Sequence, residues 1–288
     1  LHGIHAFAGA SVFINGAKVY GGDSHAFTAT QSRVFITKSN SVPPVKPVID
    51  GLTGGKGLTL AYGASAEIED ATINSNYIGE FKRALTLISG SMALVRRSVL
   101  TSPNTDETVY IEEGSTVEFV DSRIDGSGRP DSSAVYVVYG GTVRFRSTDA
   151  GSSEINNPSG WMAVVVNYGS RMVLEEGHDT FNGSIFVGNG SVADIKNATI
   201  NGNIQIENNS LLRLRNRAAV GTSTNVTNIV NPAGGNVHLV GDSLLEFKAK
   251  SPLNRVVVTG NVTCADGESS VSNLSLGDLA DHAIVGGH

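Results

Sequence analysis

The 288-residue chain has a formal net charge of −6 and is 40% hydrophobic, with only 6% aromatic and 17% charged residues and 34 glycines. That acidic balance argues against nucleic acid as a partner, because phosphate backbones want a basic surface. No apolar run approaches the roughly 20 residues of a membrane span, and the single cysteine, Cys264, excludes an internal disulfide or a cysteine metal cluster. The chain opens at Leu1 without a signal-like segment, so a processed or excised product is expected, its targeting segment removed.

One phrase recurs along the chain, as in Gly63-Ala64-Ser65-Ala66-Glu67-Ile68, Gly114-Ser115-Thr116-Val117-Glu118-Phe119 and Gly190-Ser191-Val192-Ala193-Asp194-Ile195. Its last apolar residue serves as an anchor, and in chain order the anchors are Ile14, Ile36, Ile68, Val95, Phe119, Phe145, Leu174, Ile195, Leu214 and Phe247. Two residues earlier stand Val12, Val34, Ala66, Ala93, Val117, Val143, Met172, Ala193, Leu212 and Leu245, all apolar. Further upstream come the pairs Leu58/Leu60, Leu85/Leu87, Val109/Ile111, Val135/Val137, Val164/Val166, Ile185/Val187, Ile204/Ile206 and Val237/Leu239. Alternation with a period of two predicts two strands per repeat, each with one buried face.

A three-residue turn joins them, with Gly9, Gln31, Gly63, Gly90, Gly114, Gly140, Gly169, Gly190, Asn209 and Asp242 in its middle column. Glycine, Asn and Asp are what a left-handed backbone position selects. The next column is rich in serine, which suits a crowded corner with hydroxyls bonded to backbone. A third short strand follows the anchor through Val19, Ile73, Leu100, Ile124 and Ile200. Long loops at 39–57, 125–133, 152–160 and 218–235 are expected to leave from this third strand and crowd one edge.

Three short parallel strands per repeat predict an all-β fold: residues 1–288 as one parallel β-helix of about 10–11 rungs. The crossover rule makes it right-handed, and a rung spacing of about 4.8 Å makes the rod about 50 Å long. These repeats resemble the pectate-lyase-like right-handed β-helix superfamily and, in the phrase Gly-Ser-x-Val-x-Ile, the passenger regions of bacterial autotransporters and surface adhesins. The resemblance covers nearly the whole chain. It implies a secreted or cell-surface β-helix, but that superfamily spans lyases, hydrolases, tailspikes and adhesins, so it implies no single activity.

The strand before the turn is expected to point His5, Phe27, Thr59, Thr86, Tyr110, Tyr136, Val165, Phe186, Gln205 and His238 outward. Tyr110, Tyr136, Val165 and Phe186 should then form an apolar strip, either a docking face for a partner, a second copy or a sugar, or a face that a loop covers. Tyr62, Tyr139 and Tyr168 open the turn, and the last two should stack; a carbohydrate platform and a stabilising ladder are both open readings. Trp161 is expected to pin a loop where it rejoins the coil.

On the strand after the turn, alternating charges at Glu118/Arg144, Arg146/Glu175/Lys196 and Asp194/Arg213/Glu246 predict cross-strand ion pairs. Glu67 and Glu69 share a face and Arg96 lies on the next rung, but an ion pair accounts for them as well as lyase or hydrolase chemistry does. His2 and His5, and His178 beside Asp179, lack the further ligands a metal needs, and no phosphate or nucleophile motif appears. No catalytic set, metal or cofactor is therefore assigned. Sequons at Asn182, Asn189, Asn197, Asn208, Asn225, Asn261 and Asn273 fit turn chemistry as well as glycosylation. The function expected is a binding or adhesive module, with polysaccharide or cell-surface glycan as partner, or self-association through the strip. A polysaccharide lyase or glycoside hydrolase working at the loop edge, and a structural fibre or spacer, are the alternatives.

Overall fold

The computed structural model describes residues 3–22, 25–52, 55–75, 82–103, 107–127, 129–148, 151–157, 161–175, 179–196, 198–215, 227–229, 237–248, 256–258, 262–265, 269–272 and 283–285. Outside them lie His2, His178, Asn197, Asn225, Asn261, Asn273 and most of the 218–235 loop.

Each turn of the coil repeats the order set by Ile4–Ala6, Ser11–Asn15 and Lys18–Tyr20. Strands in the first position form an 11-stranded sheet, sheet 1, from Ile4–Ala6 to Val262–Cys264. Those in the second position form an 11-stranded sheet, sheet 2, from Ser11–Asn15 to Ser270–Ser272. The third position gives an 8-stranded sheet, sheet 3, from Lys18–Tyr20 to Ala198–Ile200, then a 3-stranded one of Thr227–Ile229, Val256–Val258 and Ala283–Val285. Every neighbouring pair within sheet 2 is parallel, and the registered pairs align the anchors from Ile14 to Phe247 in one column. The chain is a parallel β-helix solenoid with three strands per rung.

The inward columns of all three sheets meet in one continuous apolar core. Leu58, Val109, Val137, Phe119, Phe145 and Phe181 are wholly buried there. The rings of Phe119 and Phe145 stack at 5.6 Å, and Phe145 meets Phe181 edge-on at 5.4 Å, both favoured aromatic geometries.

The turn between sheets 1 and 2 places two successive residues in the left-handed region, as at Tyr62 (φ 52°) with Gly63 (φ 75°) and Tyr139 (φ 50°) with Gly140 (φ 77°). Two positive φ values in a row are the type I′ pattern. A Cβ on Gly63 or Gly140 would meet nothing within 4 Å, so the backbone angle and not space selects glycine. The serine column behind the turn links rungs: Ser91 N donates to Ser115 Oγ (3.1 Å) and Ser170 N to Ser191 Oγ (3.1 Å).

Two expectations are corrected. Phe27 does not point outward: it registers with Ile4 and Leu58 and is wholly buried, while Thr28 takes the outward place between His5 and Thr59. The cause is a turn one residue shorter at Gln31–Ser32 than at its neighbours, which flips the preceding strand. Nor do the long loops all leave from the third strand. The third strands Val48–Asp50 and Glu154–Asn156 lie inside the 39–57 and 152–160 segments, so insertions fall on both sides of sheet 3.

Candidate ligand-binding faces

The apolar strip on sheet 1 assembles in the expected register, Tyr110 facing Tyr136, then Val165 and Phe186. It is not open. Val165 is wholly buried and Phe186 is 7% exposed, forming with Met162 a small cluster separate from the main core, against which Tyr136 packs. The Trp161 ring lies 5.8 Å from Phe186, and the loop before it, 158–160, is outside the described residues.

Tyr110 is engaged on every side. Its ring stacks on Tyr136 at 5.9 Å, the Arg83 guanidinium lies 3.7 Å from its centroid, and its hydroxyl donates to Glu112 (2.8 Å). Arg83 is itself buried and bonded to Glu107 at 2.9 Å. Burial, then the bond to Glu112, pushes the Tyr110 phenol well above its ordinary range, and burial raises Tyr136 as well. Tyr110, Tyr136 and Phe186 thus seal the outer side of sheet 1.

Tyr139 and Tyr168 stand otherwise. They open the turn on adjacent rungs, stack at 5.2 Å with an interplanar angle of 12°, and are 58% and 49% exposed. Tyr62, in the same turn position on an earlier rung, is 60% exposed. All three hold φ near +50°, a conformation that costs a bulky L-residue about 1 kcal/mol. The column continues into Asn189 and Asn208 on the following rungs. Asn189 Nδ2 donates to Asn167 Oδ1 (2.8 Å) and Asn208 Nδ2 to Asn189 Oδ1 (3.1 Å). Asn167 Oδ1 also accepts from Tyr168 N at 3.0 Å. The result is an exposed ridge of two aromatic faces followed by aligned amides.

Sheet 2 presents the other large outward face. Its column runs Phe13, Phe35, Glu67, Leu94, Glu118, Arg144, Val173 and Asp194. Phe13 and Phe35 stack at 4.8 Å, and Phe13 is 69% exposed. The charge pattern of this face does not reveal the two rings, although each sits directly before its anchor. A shallow depression of about 610 Å³ follows, lined by Arg33, Phe35, Glu67, Met92, Glu118 and Arg144 among others.

The ion pairs on this face are mostly diagonal. Glu118 faces Arg144 in register, yet it pairs with Arg146 (3.1 Å), and Arg144 reaches Glu175 (3.1 Å). Asp194 pairs with Arg215, and Arg213 with the directly facing Glu246 at 2.6 Å. A long guanidinium leans along the strand and meets the carboxylate two positions over more readily than the one stacked beneath it. The partner of Glu69 is Arg97, not Arg96, and Arg97 also holds Asp70 at 3.1 Å. That guanidinium, with Lys38 at 3.0 Å, keeps the Asp70 carboxyl below its usual range. Glu69 is therefore committed to an ion pair. Among the described residues no group of three or more His, Cys, Asp or Glu gathers.

No family model matches the chain, and no curated protein matches it. Among solved structures it is similar to a TibC-catalysed, hyper-glycosylated fragment of TibA, with 12% identity over 96% of this chain and 100% of that one and a TM-score of 0.28. At that score the likeness carries no argument about this chain.

Proposed function

We propose that this β-helix is a binding module of the cell surface or extracellular space that takes saccharide on the ridge of Tyr139, Tyr168, Asn189 and Asn208. The observation that carries the reading is the cost of the tyrosines. Left-handed turn positions favour Gly and Asn, and an exposed ring recovers little by burial. Stacking returns part of the cost at Tyr139 and Tyr168, whereas Tyr62 has no stacked partner among the described residues. An aromatic face binds the C–H face of a sugar ring, and the adjacent amides supply donors and acceptors for hydroxyls. The surface placement rests on the resemblance of the repeats to secreted and passenger β-helices.

The strip of Tyr110, Tyr136, Val165 and Phe186 serves less well for self-association, because its contacts are taken by Trp161, Met162 and Arg83. The test is a broad glycan and polysaccharide array, with product release followed in the same wells. Binding without release, reduced at least about tenfold in Tyr139→Ala/Tyr168→Ala, is expected for loss of two stacking faces. Release of product would make the protein a carbohydrate-active enzyme, and undiminished binding by the variant would remove the ridge from the site.

A further inference from the structure

We infer that a second site, the cleft on sheet 2 lined by Arg171, Lys196 and Arg215, binds the carboxylate or sulfate groups of an acidic polysaccharide laid across the sheet. These cations come from three consecutive rungs, Arg171–Leu174, Val192–Lys196 and Leu211–Arg215. With Arg146, Glu175 and Asp194 they surround about 440 Å³ over a floor of Val173 and Leu174.

Three observations point to an anionic ligand. The first is register: Lys196 faces Arg215 directly, and the row continues in register to Lys248. Like charges directly opposed across strands are destabilising, and elsewhere on this sheet the register sets opposite charges together, as at Glu118 and Arg144. The second is the state of the carboxylates. Glu175 is held by Arg144 from outside the cleft, and Asp194 by Arg215. Among the described residues no acid is within ion-pair distance of Arg171 or Lys196. The third is Arg215 Nε, a buried donor without an acceptor, which an oxyanion would satisfy.

The spread of the cations argues for a polymer. Lys196 and Arg215 stand one rung apart in one column, and Arg171 stands at the other end of the strand, in the column of Val192 and Leu211, so together they match several anions of an extended ligand better than one free ion. Val173, 8% exposed at the floor, offers an apolar contact for a sugar ring. The inference rests on the proposed function only in taking saccharide as the carrier of the charge, and its site is separate from the tyrosine ridge.

The experiment titrates the full chain with polygalacturonate, dextran sulfate, uncharged dextran and duplex DNA. It compares the wild type with Arg171→Ala/Lys196→Ala and with Lys18→Ala/Lys46→Ala, which removes two exposed cations elsewhere. Both acidic polymers should bind more weakly as salt rises, and the cleft variant should bind them at least about tenfold more weakly. The control variant should stay within about twofold, because distant exposed charges are screened. Relief of like-charge repulsion should leave the cleft variant's melting midpoint equal or higher, which separates lost binding from lost fold. The inference is overturned if no acidic polymer binds, if the cleft variant binds as well as the wild type, if the control loses as much, or if DNA binds more tightly than either polymer. Neutral-glycan capture by Tyr139→Ala/Tyr168→Ala, read in parallel, lets the ridge fail without the cleft and the cleft without the ridge.

Discussion

At the residue scale, Asp179 is the most consequential polar side chain inside the coil. It stands beneath the serine column Ser98, Ser122 and Ser153, in which Ser98 N donates to Ser122 Oγ and Ser122 N to Ser153 Oγ. Its Oδ1 accepts from Ser147 Oγ and from Ser153 N (3.1 Å), while Oδ2 is buried without a partner. Burial pushes its carboxyl up to about 6, against the opposing pull of those hydrogen bonds. Between the unfolded value of about 4 and this folded value the native state binds a proton that the unfolded chain does not. Stability from this group is therefore present at low pH and lost as pH rises through the window, by about 2–3 kcal/mol. Asp179→Asn should flatten that fall, most visibly as a higher denaturation midpoint at pH 7.5 than the wild type shows, with little difference at pH 4. Asp70 runs the opposite way, its ion pair stabilising above the carboxylate range and fading as pH drops. Tyr62→Asn gives a test of opposite signs: relief of the left-handed strain should stabilise by about 1 kcal/mol, while saccharide binding stays the same or falls. Destabilisation by Tyr62→Asn would show that the ring has a structural role after all.

At the element scale, the polar residues of sheet 3 form a ladder that the sequence shows only as scattered turn-formers. Asn156 Nδ2 donates to Asp125 (2.9 Å), Asn182 to Asn156 (2.6 Å) and Asn201 to Asn182 (2.7 Å). Asn182, read alone, is a sequon; in the fold its amide is committed at both ends. Asn182→Ala breaks three half-buried bonds, to Asn156, Glu154 and Asn201, and should cost about 1–2 kcal/mol, measured as a shift in denaturant midpoint. Asn189 and Asn208 extend a second amide ladder beside Tyr168, in which each amide keeps a second N–H and a further lone pair for a ligand. The side-chain period made the strands of sheets 1 and 2 legible, because one face of each is buried. The third strands after long insertions, Val48–Asp50 and Glu154–Asn156, were not legible, since three residues carry a single inward side chain and no alternation. The short turn at Gln31 is hidden for a related reason: it keeps the same residue types as the longer turns, and one residue fewer reverses which face Phe27 takes.

At the scale of the whole molecule, stability is a sum over neighbouring rungs, with few contacts reaching beyond the next turn. Val137 lies at 0% exposure in the middle of the stack. Val137→Asp places an unpaired charge in the shared core and should destroy the cooperative melt followed by circular dichroism, while hydrogen exchange remains slowest in rungs farthest from it. A retained native melt would contradict the inward assignment of that column. Outward changes such as Arg171→Ala should leave the melt intact, which is what makes the two faces separable by mutation.

The sequence by itself determined the parallel coil, the first two strands of its rungs, the anchor column from Ile14 to Phe247 and the inward pairs, because burial on one face imposes a period that survives loops of any length. It also placed Tyr139 and Tyr168 side by side, since adjacent rungs must stack. The tertiary structure decided which outward faces stay open. Val165 and Phe186 are buried with Met162, Tyr136 and Trp161 packed against them, while Tyr139, Tyr168 and Phe13 stay exposed. It likewise decided which carboxylate each arginine takes, a choice made by side-chain reach across the sheet and carried by no periodicity.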